Sequence, residues 1–251
     1  MKIRIPRFRP ASRASTTIHS FLNIFLALLI LAIIVDPISL PSMAVVVLLL
    51  SKWRMLAVKP RHWLANVRAN LVDITVGLAV IAFMSGTGSL ITQLIWAGLY
   101  SAWLILLKPR SDTFSIALQA MVAQALGLVA FYGSFSNSSI IAVVLLTWLI
   151  CYSSARHFFS GFEDDSAHII SHIWGLFGAE LAWVLSHWTL TYGFIPQIAL
   201  LLTVIGYCLA VCYYLHSLSR LKITVRNQFI FVTVLVIVVV ALFSEWQYSG
   251  L

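Results

Sequence analysis

LPSMAVVVLLLSKWRMLAVKPRHWLANVR, residues 40–68, decides how many times this chain crosses a membrane. Its first part, Leu40 to Ser51, is an apolar run short for a span, and its second carries Lys52, Arg54, Lys59, Arg61 and Arg68. If the run merges with the preceding apolar stretch, Thr17 to Val35, the basic cluster falls on the outer side. If it crosses by itself, the cluster falls in the cytoplasm, where the positive-inside rule places lysine and arginine. We adopt the second reading, which requires tilt, flanking residues or local bilayer thinning to complete the crossing.

The rest of the chain follows the same alternation. Further apolar runs are Asn70 to Ser85, Gly88 to Leu107, Thr113 to Tyr132, Ser139 to Ala155, Asp165 to Ser186, Pro196 to His216 and Gln228 to Phe243. Turn-forming clusters such as Ser85-Gly86-Thr87-Gly88 and Lys108-Pro109-Arg110 separate them. With the N-terminus inside, nine spans place all 16 Lys and Arg in cytoplasmic segments and leave the C-terminus outside. The expected fold is therefore an all-α polytopic transmembrane bundle.

Composition excludes most alternatives. Apolar residues make up 61% of the 251 and charged residues 10%, against about 25% charged in a soluble domain. Nine spans of ~20 residues consume roughly 180 residues, which leaves no room for a separate soluble domain. One integral membrane domain, 1–251, is expected: a basic cytoplasmic tail (1–16), the bundle (17–243) and an external tail (244–251). The net charge of +8 is scattered between apolar runs, unlike the continuous basic face of a nucleic-acid binder. It fits the bilayer as partner, with anionic lipid at the cytoplasmic face of a bacterial-type inner (plasma) membrane; homo-oligomerisation stays open.

The basic start and the run Phe21 to Val35 also fit a signal peptide with a small-residue site near Ser42-Met43-Ala44. Cleavage there would leave Val45 to Leu50 at the new terminus, so an uncleaved first span is expected. Cys151, Cys208 and Cys212 all lie within apolar runs, so no extracellular disulfide framework is indicated.

Ionisable residues concentrate in the seventh span. With His168 at zero and 100° per residue, His172 falls at about 40°, Asp165 at about 60°, His187 at about 100° and Glu180 at about 120°. Ser171, Gly175 and Ala179 flank that arc at the spacing that admits a close neighbouring helix. The titratable stripe is therefore expected to face the bundle interior.

Three chemistries fit these residues. A proton- or ion-coupled transporter would use Glu180 as the membrane-embedded carboxylate, with His168, His172, His187 and Asp165 completing the pathway. A divalent metal ion could be held by Asp164, His168 and His172, spaced four apart; Cys208, Cys212 and His216 repeat that spacing on the eighth span and would suit Zn²⁺ or Cu⁺. A metal-assisted enzyme acting on a lipid or isoprenoid at the inner leaflet would use Glu163-Asp164-Asp165 to hold a cation and a phosphate.

In topology and in that acidic cluster after the sixth span, the chain resembles UbiA-type prenyltransferases, which carry aspartate motifs on the cytoplasmic side. The family's other motif would follow the second span, where this chain has Asn66, Asn70 and Asp73. Against all three stands a plainer reading, a non-catalytic membrane assembly component whose histidines sit at interface depth and whose Glu180 bonds a neighbouring helix. Asp73, Gln93, Gln119 and Gln124 would then be interhelical hydrogen-bonding residues only. No Walker loop, GxSxG, HExxH or paired CxxC occurs, and no lysine lies deep in a span.

Overall fold

The computed structural model describes residues 13–36, 40–134, 139–162, 166–186, 188–192 and 195–248. Among these residues the helices are α1 (Arg13–Val35), α2 (Pro41–Leu50), α3 (Trp63–Ser85), α4 (Leu90–Ala102), α5 (Thr113–Ser134), α6 (Ile140–Ser160), α7 (Ala167–Leu185), α8 (Gln197–Ser217) and α9 (Ile223–Phe243). Eight are long and apolar enough to cross a membrane, counting with α4 the π-helical turn Trp103–Leu107 that extends it to Leu107. The chain is an integral membrane protein built as a helical bundle.

The remaining helix, α2, has ten residues and rises only about 15 Å, half of a hydrocarbon core of about 30 Å. Its end nevertheless lies on the same side of the bundle as the end of α4. Lys52, just past α2, and Lys108, just past the π turn, both bind the carboxylate of Asp73 on α3. The end of α2, the first half of α3 and the end of α4 thus meet at one carboxylate.

Strands, which the sequence reading did not anticipate, close one end of the bundle. β1 (Trp188–Tyr192) pairs antiparallel with β2 (Ile195–Pro196) and with β3 (Glu245–Tyr248), in the order β2-β1-β3. The register sets Trp188 opposite Tyr248 and Leu190 opposite Trp246. The α7–α8 connection and the segment after α9 are thereby joined, so the ends of α7 and α9 and the start of α8 share one side.

Packing divides the bundle into two groups. One apolar cluster, including Ala27, Leu48, Val76 and Tyr100, fills the space among α1 to α4. Two more lie among α5 to α8, one containing Leu128, Cys151 and Leu202 and the other Ala117, Phe158 and Phe159. The most extensive packing between helices is α6 against α7, where Ser171, Gly175, Gly178, Ala179 and Ala182 are buried. A Cβ on Gly175 would lie 2.9 Å from Trp148 Cδ1, and one on Gly178 would lie 2.8 Å from Cys151 Sγ. By contrast α9 buries only Val240 and packs on α8.

Orientation can be tested directly. A cysteine replacing exposed Ser89, between α3 and α4, should react with an impermeant maleimide added outside sealed cells. One replacing exposed Leu218, after α8, should react only once the membrane is opened. The reverse pattern would invert the topology.

Candidate functional site

Between α5, α6, α7 and α8 lies a partly open cavity of about 240 Å³, lined chiefly by apolar and aromatic side chains. Ala120, Phe158, Ile170, Trp174, Ala210 and Tyr213 form much of its wall. A second groove of about 450 Å³ shares Met121, Thr203 and Tyr207 with it and continues along α9 past Phe229 and Val232. Its lining residues come from the first halves of α5 and α7 and the later parts of α6 and α8, so the cavity lies toward the end of the bundle away from the strands.

Its polar groups are few and fixed. The Gln124 side-chain amide donates to the Leu202 carbonyl at 3.0 Å, and its oxygen accepts from Trp174 Nε1 at 2.9 Å. One glutamine thus ties α5 to both α7 and α8. Gly206 makes this geometry available, because a Cβ there would fall 2.9 Å from Gln124 Nε2. Ser154, 3% exposed on the cavity wall, has a hydroxyl with no hydrogen-bond partner among the described residues. Such an orphaned buried hydroxyl is costly unless something else supplies a partner.

Nearer that end of the bundle, where α4 and α6 finish and α5 begins, a second glutamine joins three segments. Gln119 donates to the carbonyls of Leu107 at 2.6 Å and Arg110 at 3.0 Å, and its oxygen lies 2.8 Å from His157 Nε2. This cluster ends the π turn and fastens it to α5 and α6. His157 gives no signal in the sequence, where it stands beside Arg156 just past the end of an apolar run.

The amino-terminal helices carry a separate charged cluster. Asp73 Oδ2 accepts from Lys52 and, at 2.6 Å, from Lys108, while Oδ1 accepts from Trp103 Nε1 at 3.1 Å. Lys52 is 8% exposed; the Lys108 side chain, at 36%, reaches the edge. Burial draws Lys52 below the ordinary lysine value, and the charge of Asp73 opposes that pull. The π turn, which bonds Lys108 N to Trp103 O at 2.9 Å, presents Trp103 and Lys108 together to one carboxylate.

The seventh-span residues are distributed differently from the expectation. Asp164, Asp165 and His187 lie outside the described residues. His168 and Glu180 are exposed on the outer surface of α7, and the interior side is taken by the small residues facing α6. The expectation of an inward-facing stripe is corrected on this point. His172 is half-buried in an aromatic stack, 4.6 Å from the Tyr152 ring, 5.8 Å from Trp148 and 4.6 Å from His168. Cys208 is buried, Cys212 half-buried and His216 exposed, and among the described residues no three His, Cys, Asp or Glu are grouped to hold a metal.

No family model, curated protein or solved structure matches the chain.

Proposed function

We propose that this integral membrane protein holds the apolar chain of a lipid or isoprenoid in the α5–α8 cavity, at the level of the inner leaflet. The supporting observation is the cavity itself: an apolar and aromatic wall around a few oriented polar groups, which is the usual composition of a small-molecule site. Its continuation along α9 gives an elongated ligand room to extend. The 16 Lys and Arg, all cytoplasmic in the nine-span reading, favour an anionic head group. A proton- or ion-coupled carrier built on Glu180 finds less support, since that carboxyl lies on the outer surface and does not line the cavity.

Photolabelling tests the reading. In proteoliposomes containing an anionic lipid with a diazirine in its acyl tail, label should map to α5 and α8 peptides around Met121 and Ala210. Ala210→Phe, which fills the cavity, should reduce that label at least fivefold without altering label on α1 around exposed Phe21 and Leu22. Label spread evenly over lipid-facing helices, unaffected by Ala210→Phe, would refute it.

A further inference from the structure

The outer face of α7 differs from the other lipid-exposed surfaces in containing a carboxyl. Ile169, Ile173 and Leu176 are 63%, 60% and 54% exposed, and Glu180 is exposed in line with them. Large apolar side chains facing lipid require no partner, whereas an ionisable group within a span does. Among the described residues the Glu180 carboxylate has no side-chain hydrogen bond or ion pair. With every Lys and Arg in cytoplasmic segments in the nine-span reading, no cation of this chain or of an identical copy stands at its depth.

The spacing shows what kind of neighbour the face fits. Residues 169, 173, 176, 180 and 183 are separated by four, three, four and three, which is the a/d alternation of a left-handed helix pair. In that register Ile173 and Glu180 are at a, and Ile169, Leu176 and Trp183 are at d. This packing is the common one between membrane helices. Two copies inserted in the same orientation are related by an axis along the membrane normal, so their α7 helices run parallel at equal depth. In a parallel pair each a residue meets its own counterpart.

We propose that α7 is the interface between two copies of this chain, with Glu180 hydrogen-bonded across the axis to the partner's Glu180. A single polar a position of this kind fixes register and pairing. A foreign helix would need a complementary group placed at the same depth, whereas the second copy supplies one by symmetry. The inference is independent of the cavity ligand, because Glu180 does not line the cavity.

The test uses the full chain in liposomes, with Cys151, Cys208 and Cys212 replaced by alanine. Single cysteines at Ile173 and Leu176 should form disulfide-linked dimers under mild oxidation, and one at Phe231 on α9, also exposed, should not. Adding Glu180→Ala should reduce crosslinking at Ile173 at least fivefold, while Glu180→Gln, which still hydrogen-bonds its counterpart, should largely preserve it. Monodisperse elution of each variant confirms folding. A monomer at every position, equal crosslinking on α7 and α9, or indifference to Glu180→Ala would overturn the proposal.

Discussion

Replacing Asp73 with asparagine should destabilise the protein by about 3–5 kcal/mol, the cost of breaking a buried ion pair from one side. Asparagine keeps the shape but leaves Lys52, 8% exposed, without its counter-charge. The measurement is the unfolding midpoint of purified protein in detergent. Lys108, more exposed, can turn its ammonium to the surface, so Lys108→Met should cost less than Asp73→Asn. Combining Asp73→Asn with Lys52→Met should recover much of the loss, since the buried charges then leave together. An Asp73→Asn protein as stable as the parent would show that the cluster does not hold α2, α3 and α4 together.

Gly175→Leu should have the next largest effect, about 3 kcal/mol, at the upper end for an overpacked interior. The added side chain meets Trp148 Cδ1 at 2.9 Å and Tyr152 Cβ at 3.1 Å from its first carbon alone. Neither ring can retreat easily, because they stack 5.2 Å apart and both lie against His172. Gly98 on α4 provides the comparison, with nothing within 4 Å of a Cβ placed there. Gly98→Ala should leave the midpoint unchanged or raise it by up to about 1 kcal/mol through helix propensity. Equal effects at the two glycines would remove the close α6–α7 contact from the account.

The two substitutions also mark what could be read from the chain. Length and hydropathy are local properties, so the spans were accessible, as was the small-residue spacing on the seventh span. The limits of the spans were less so, since α3 begins already at Trp63, α6 continues to Ser160 and α9 begins at Ile223, where polar residues extend the helices past the apolar runs. Which side of α7 faces inward was also accessible. By about 100° per residue, the buried small residues centre roughly 160° from Glu180. Helix approach favours the small side, so the acid belonged outside; grouping both in one arc obscured this.

The Asp73 cluster was harder to see. Its lysines stand 21 and 35 residues away, and the positive-inside rule accounted for both without a partner. The cavity left no periodic signal, since Ala120, Ser154, Trp174 and Ala210 come from four helices. Each residue looks like ordinary packing until the helices are assembled. Strand pairing between 188–192 and 245–248 was likewise hidden by its separation in the chain.

The Asp73 cluster also has a consequence for synthesis. A lone aspartate entering the bilayer carries an insertion penalty of about 2.5–3.5 kcal/mol at a helix centre. Here Lys52, in the connection between α2 and α3, is made before Asp73, so the carboxylate has its counter-charge as soon as α3 is synthesised. Lys108 arrives 35 residues later and adds α4 to a pair already formed. The order of translation thus becomes an order of assembly, with each charge buried only after its counterpart exists.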